Sequence, residues 1–104
     1  MSGEKILEPG TELYSVATGR LSLLRKRSRD AARLMGEQDG FVAVHIVEDG
    51  RMMWFYATEA DAKRARNVAE AQGVQCGRNV CRFEVGADGV PEFDPQWARE
   101  RGMA

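Results

Sequence analysis

The chain has 104 residues, of which 43% are apolar and 30% are charged, and its formal net charge is −1. These values predict one ordinary globular α+β domain over residues 1–104 and exclude a chain that is disordered throughout. A run of about 18 apolar residues, a secretion signal and a cysteine framework are all missing from the sequence, so we expect a cytoplasmic protein with reduced thiols and no membrane contact.

The first third of the chain predicts a strand followed by a helix. Residues 1–11 are expected to form a flexible or peripheral arm. Residues 12–18 alternate as in a strand but also fit a helical turn, and Gly19 favours a break there because glycine costs about 1 kcal/mol against alanine inside a helix. From Arg20 to Met35, apolar residues recur at the helical period, and Gly36 is a natural C-terminal stop.

The centre of the chain carries the clearest signal, a β-hairpin. Two apolar runs, residues 41–47 and 52–57, are rich in aromatic and β-branched side chains, and the segment Glu48-Asp-Gly-Arg51 separates them. Asp-Gly is a preferred hairpin turn because glycine accepts the positive φ that a tight turn requires. We therefore predict two antiparallel strands here.

A second helix is predicted directly after the hairpin, over residues 59–72. Thr58 stands at the N-cap position and Gly73 at the C-terminal end. The predicted inward stripe consists of small residues, namely Ala62, Ala65, Val68 and Ala69. A stripe of this kind allows a helix to lie close to a sheet.

The last third predicts a strand over residues 80–85, a turn at 86–89 and a short final helix. Asp94-Pro95 would cap that helix, which would run through Arg101. Residues 87–104 are otherwise expected to be a peripheral arm. The order β-α-β-β-α-β is the layout of a ferredoxin-like sandwich, with an antiparallel four-stranded sheet, two helices on one face and, here, a short C-terminal helix in addition. This layout hosts many functions, so it does not decide between them.

Strand alternation predicts an aromatic open face on the side of the sheet away from the helices. Val42, Val44 and Ile46 would point inward. The centre of the predicted open face consists of His45, Met52, Trp54, Tyr56 and Arg82. These residue types are enriched at the centres of protein interfaces.

We therefore expect a non-catalytic interaction protein that binds a second copy of itself or another protein. It could serve as an inhibitor or accessory subunit of a larger bacterial, phage or mobile-element machine. Two other interpretations of the face stay open. The first strand, the N-terminal residues or the C-terminal segment could cover it, and Phe93 and Trp97 are well placed to do so. Its aromatic rings could instead stack on single-stranded nucleic acid.

The first helix offers a second candidate surface, which would bind anions. Its basic residues are Arg25, Lys26, Arg29 and Arg33. They could contact the phosphates of a nucleic acid, the alternative function, or they could simply form a solvated outer face.

Catalytic and metal-binding signatures are absent from the sequence, so we expect no cofactor. His45 is the single histidine. Cys81 is predicted to face the other side of the sheet, which argues against a shared zinc ion. A small enzyme using His45 with Arg82 or Tyr56 on the sheet floor is the remaining alternative.

Overall fold

The computed structural model describes residues 7–20, 30, 33–47 and 49–103, and within them the chain forms a mixed α/β fold. The strands are β1 (Glu12–Arg20), β2 (Phe41–Ile46), β3 (Arg51–Tyr56), β4 (Cys81–Val85) and β5 (Pro91–Phe93), and the complete helices are α1 (Glu59–Ala71) and α2 (Pro95–Glu100). Residues 33–35 are helical as well, whereas most of the predicted helix from Arg20 to Met35 lies outside the described residues. Arg20 itself is the last residue of β1.

The strands form one antiparallel sheet in the order β2-β3-β1-β4-β5. The predicted strand at residues 12–18, the central hairpin and the strand that ends at residue 85 are confirmed. The predicted four-stranded ferredoxin-like sandwich is not confirmed, because β5 adds a fifth strand to the sheet. Phe93 pairs with Phe83 and Pro91 pairs with Val85, so part of the segment 87–104 belongs to the sheet.

The two hairpins, β2–β3 and β4–β5, are built around the same Asp-Gly turn. In the first, Val47 N–H donates to the Arg51 carbonyl at 2.9 Å and Gly50 has a φ of 85°. The equivalent bond closes the second hairpin, where Gly86 N–H donates to the Val90 carbonyl at 2.9 Å and Gly89 has a φ of 80°. A three-residue loop with glycine in the left-handed region matches the twist of the flanking strands.

Helix α1 begins where the sequence predicts and ends one residue before the predicted end, at Ala71, with Gln72 as its C-cap. The Thr58 hydroxyl accepts a hydrogen bond from Asp61 N–H at 3.1 Å, which satisfies one of the free donors of the first turn. Gly73 follows the helix with a φ of 91°, and Val74 N–H donates to the Ala69 carbonyl at 3.0 Å. This is the Schellman arrangement, which requires a residue that tolerates positive φ.

The apolar core lies on both faces of the sheet. On one face, called here the helix face, α1 packs on β1 and β3 through Ala62, Ala65 and Ala69, each fully buried. The core residues of the opposite face are Leu7, Leu13, Phe55 and Val85, with Val42, Met53 and Phe83 packed against them. Both sides of β3 are therefore apolar, which is the fact that decides how the functional surfaces are arranged.

Candidate partner-binding surfaces

Three of the residues predicted for the open face are buried in the core. Met52, Trp54 and Tyr56 lie beneath α1 on the helix face, where they are 7%, 5% and 0% exposed. The prediction that they form an exposed surface is wrong. Alternation correctly groups them on one face, but the small alanine stripe of α1 packs on that face rather than on its opposite.

The polar tips of the buried rings find partners inside the molecule. Trp54 Nε1–H donates to the Thr18 hydroxyl at 2.9 Å, and the Tyr56 hydroxyl donates to the Met35 carbonyl at 2.7 Å. Burial raises the pKa of Tyr56 well above its ordinary value. With these bonds made, an indole and a phenol can be buried without the cost of an unpaired polar group.

Arg82 also lies on the helix face, at its margin, and its guanidinium is occupied. It donates to Asp94 Oδ2 at 2.5 Å, to Glu12 Oε1 at 2.6 Å and to Glu84 Oε1 at 3.2 Å. Its side chain is only 14% exposed. The expectation that Arg82 is part of an open binding face is therefore wrong, because these carboxylates use it to connect β1, β4 and the start of α2.

His45 lies on the opposite face from the other four predicted residues. It pairs with Met53, and its ring meets the Phe55 ring edge-on at 5.4 Å. The sheet therefore separates the imidazole from Arg82 and from Tyr56. The structure does not bring together the residues on which the enzyme alternative depends.

The inward orientation predicted for the residues of β2 is correct only in part. A register shift between Phe41 and Ala43 places Val42 in the cluster of the opposite face. Val44 and Ile46 do lie on the helix face, but at its margin, where they are 37% and 74% exposed. The apolar exposed surface on the helix face is thus at β2 and not at β3.

The backbone of β2 offers a free edge. In the described part of the chain, β2 pairs only with β3, and it is the outermost strand on its side. Because Val47 N–H bonds to β3, the alternation of an antiparallel ladder turns the N–H and C=O groups of Val44 and Ile46 outward. The segment Phe41–Ile46 contains no proline and no Lys, Arg, Asp or Glu.

The edge at β5 is protected by comparison. This strand has only three residues, and they include Pro91 and Glu92. Short length, proline and charge are the usual features that keep a sheet edge from pairing with another chain. The β2 edge lacks all three, so the two ends of the sheet differ in their capacity to accept a further strand.

An aromatic row crosses the face opposite α1. The ring of His45 contacts Phe55, Phe55 contacts Phe83 at 5.1 Å, and Phe83 contacts Phe93 at 5.8 Å. Phe93 is 48% exposed at one end of the row, whereas Phe55 is buried at its centre. Phe93 therefore does not cover the face of Trp54. Trp97, the other residue of the alternative considered from the sequence, contacts Tyr14, which packs against the core of the helix face.

The basic surface predicted on the first helix is described only at its end. Arg25, Lys26 and Arg29 lie outside the described residues. Arg33 is exposed and forms an ion pair with Asp30. Its side chain is available to solvent, but the predicted row of cations is not described as a whole.

A second basic group, which the sequence reasoning missed, lines a cleft of about 390 Å³. Its residues come from α1, from the loop before β4 and from the C-terminal end; they are Glu59, Lys63, Arg66, Asn67, Arg78, Asn79, Val80, Arg101 and Met103. No local motif marks it, because its cations are far apart in the chain. The name cationic cleft is used for it below.

Neither cysteine is activated. Burial raises the pKa of Cys76 to about 11 and also raises the pKa of Cys81, so both remain protonated thiols at neutral pH. Among the residues that the structure describes, no group of three or more His, Cys, Asp or Glu side chains could hold a metal ion.

Comparison with protein-family models, with curated proteins and with solved structures finds no match for the chain. Within the described ranges, no helix is long and apolar enough to cross a membrane. A function must therefore be inferred from the chain's own residues.

Proposed function

We propose that this chain is a non-catalytic interaction protein that forms a homodimer by pairing the β2 edges of two copies. The observation that carries the proposal is the unprotected β2 edge, on which Ile46 is 74% exposed beside Val44. Outward backbone groups provide hydrogen bonds for an added strand, and exposed side chains of the same strand provide apolar contact.

A second copy is the partner that this edge fits best. Antiparallel pairing of two identical strands has two-fold symmetry, so each copy contributes the same surface and the assembly closes as a dimer. With the axis at His45, Val44 of one copy would pair with Ile46 of the other, and the two sheets would form one continuous sheet. No charge on Phe41–Ile46 opposes this pairing.

The aromatic row supports the same arrangement. His45 is the end of that row on β2, directly beside the free edge. Joining the two β2 edges would bring two such rows into one apolar surface that extends across both sheets.

The experiment is a measurement of mass in solution by light scattering over a range of protein concentrations. The wild type should have twice the mass of one chain, and Ile46→Lys should have the mass of a single chain, because a lysine on the edge opposes strand addition. The matched control is Val90→Lys, since Val90 is also apolar and 49% exposed but lies outside β2. It should remain dimeric.

Two results would contradict the proposal: a wild type that is monomeric at every concentration, or a dimer that Ile46→Lys leaves intact while circular dichroism shows a folded variant. If the wild type is monomeric but the edge binds a different protein in an Ile46-dependent manner, the homodimer is wrong and the β2 edge is an interaction site for that other protein.

We also infer that the strand order β2-β3-β1-β4 represents a ferredoxin-like core to which β5 has been added at the edge. Antiparallel pairing of β3 with both β1 and β2 supports this inference. A cytoplasmic location, which the two free cysteines support, and a role as an inhibitor or accessory subunit of a larger machine are parts of the same proposal.

Nucleic-acid binding by the basic helix predicted from Arg20 to Met35 is the second proposal. Its support is the exposed Arg33 together with the neighbouring basic sequence. Retention on a nucleic-acid column that decreases with salt, and that is weakened by Arg33→Glu, would favour it.

A further inference from the structure

We infer that the cationic cleft binds a small organic phosphate. This inference is independent of the dimer proposed above, because no residue of β2 lines the cleft. The volume of about 390 Å³ lies at the lower end of the range for small-molecule sites, which is roughly 300–1,000 Å³. A cleft of this size is suited to a small molecule rather than to a polymer.

The charge of the cleft is opposite to that of the whole chain. Lys63, Arg66, Arg78 and Arg101 contribute four positive charges to the lining, and two carboxylates oppose them: Glu59 in the lining and Glu70, which lies 3.1 Å from Arg66. The cleft is therefore positive by two charges, whereas the chain as a whole has a net charge of −1. Concentrated positive charge in a concave site strengthens the local field and attracts anions. An anionic ligand is therefore the class that this cleft favours.

Glu59 shows that the cleft already stabilises a carboxylate. Lys63 Nζ lies 3.0 Å from Glu59 Oε2, and Arg101 Nη1 lies 2.9 Å from the same oxygen. The Lys63 hydrogen bond and the Arg101 hydrogen bond lower the pKa of Glu59. Arg101 is held in place from its other side by the Trp97 ring, whose centroid is 4.4 Å from the guanidinium carbon.

The donors that remain for a ligand are on the loop before β4 and on the side of α1. Within the described part of the chain, the Arg78 side chain forms no hydrogen bond or ion pair, and it is exposed. Asn67 and Asn79 contribute amide groups to the same lining. An unpaired guanidinium beside amide donors can make a two-pronged contact with phosphate, which a carboxylate-bound arginine cannot offer.

The loop that carries Arg78 is anchored. Gly77 N–H donates to the Ala17 carbonyl at 2.8 Å, and the Gly77 carbonyl accepts from Arg66 Nε at 3.0 Å. A Cβ at Gly77 would lie 3.3 Å from the Ala17 Cβ, a tight contact that a shift of a few tenths of an ångström would have to relieve. Because the loop is already anchored, little conformational entropy is lost from it when a ligand binds.

The organic part of the ligand is inferred from the apolar lining. Val80 is buried at 6% exposure, and Met103 is half-buried beside it. Val80 belongs to the core cluster, so Met103 is the side chain that offers contact to a small non-polar or sugar-like group attached to the phosphate. Inorganic phosphate alone would leave that contact unused.

The test is a titration of the isotope-labelled wild type at low salt with inorganic phosphate, ribose 5-phosphate and neutral ribose, followed through the backbone amide signals. Signals of residues 77–80 should shift with both phosphates and should not shift with ribose. The dissociation constant obtained from these shifts should be lower for ribose 5-phosphate than for inorganic phosphate. Arg78→Ala should weaken ribose 5-phosphate binding about tenfold, the effect of losing one charge-assisted contact. Arg99→Ala removes the same charge from an exposed arginine outside the cleft and should leave the affinity unchanged.

The inference would be overturned if neither phosphate shifts these signals, or if Arg78→Ala and Arg99→Ala weaken binding equally, which would indicate attraction by net charge only. A single-stranded oligonucleotide serves as the competing probe. If it shifts residues 77–80 while ribose 5-phosphate does not, the cleft is part of a nucleic-acid surface and the small-ligand inference is wrong.

Discussion

Replacing Tyr56 by phenylalanine tests directly whether the aromatic side of β3 is inside the molecule. The ring stays and only the hydroxyl is lost, so packing against Ala62 and Ala65 is retained. The hydroxyl donates to the Met35 carbonyl at 2.7 Å in a fully buried position. Without it, that oxygen keeps only the Gln38 N–H among the described residues, at the long distance of 3.4 Å.

The magnitude follows from this partial loss. Leaving a buried acceptor fully unpaired costs about 1–3 kcal/mol, and the Gln38 contact offsets a fraction of it, so we expect a decrease of about 1.5 kcal/mol in the free energy of unfolding. For a domain of this size, that corresponds to roughly 6–12 °C in Tm. Urea denaturation followed by far-UV circular dichroism measures it, with an unchanged m-value as the sign that the native fold is retained.

The matched control is Tyr14→Phe. Tyr14 is half-buried, its ring meets Trp97 edge-on at 6.1 Å, and its hydroxyl has no hydrogen bond in the described structure. Loss of that hydroxyl should change stability by less than about 0.5 kcal/mol. If Tyr56→Phe is as mild as Tyr14→Phe, then Tyr56 faces water and the placement of α1 described here is wrong.

Three further outcomes follow from caps, charges and thiols. Thr58→Ala should lower the free energy of unfolding by about 1 kcal/mol, with Thr58→Ser close to wild type, because only the hydroxyl accepts the first-turn N–H; urea midpoints decide it. Asp94→Asn should be less stable than wild type at pH 7, and the difference should shrink as the pH falls below about 4 and disappear once the pH is below the folded pKa. The backbone N–H of Trp97 and then Arg82 hold the pKa of Asp94 below its ordinary 3.8, so its stabilisation is complete above the unfolded value and is lost as the pH falls through the folded one. In a Cys81→Ser background, Cys76 should react slowly with a thiol reagent near neutral pH and still accelerate above pH 9, since burial raises its pKa to about 11; a plateau below pH 9 would contradict this.

The local elements were predictable because their signals are local. Thr58 and Gly73 mark the ends of α1, and Asp94 with Pro95 marks the start of α2, where the Asp94 carboxylate accepts from Trp97 N–H at 3.1 Å. Each of these signals depends on groups within a few residues of one another, so the sequence contains the whole interaction.

Strand β5 was missed although its signal is present. Asp88-Gly89 repeats the turn that Asp49-Gly50 makes in the first hairpin, and in each turn the aspartate Oδ1 accepts from the backbone N–H two residues on. Pro91 is compatible with such a strand, because proline is tolerated at the edge of a sheet. Interpreting Asp88-Gly89 as a hairpin turn, like Asp49-Gly50, predicts the fifth strand.

The candidate surfaces were less predictable, since they depend on long-range packing. His45 was correctly expected on a face away from Val44, but its predicted companions Trp54, Tyr56 and Arg82 lie on the other side of the sheet. The cationic cleft brings Lys63 close to Arg101, and no sequence motif predicts that these two residues lie together.

The sequence by itself determined the first four strands and the caps of α1 and α2, and it grouped Met52, Trp54 and Tyr56 correctly on one face of β3. Only the tertiary structure decided which of the two apolar faces of β3 is covered by α1. Alternation has a period of two and is symmetric with respect to the faces, so it cannot distinguish Met52, Trp54 and Tyr56 from Met53 and Phe55. The choice was made by contacts distant in the chain: the alanine stripe of α1, and the bonds of Trp54 and Tyr56 to Thr18 and Met35.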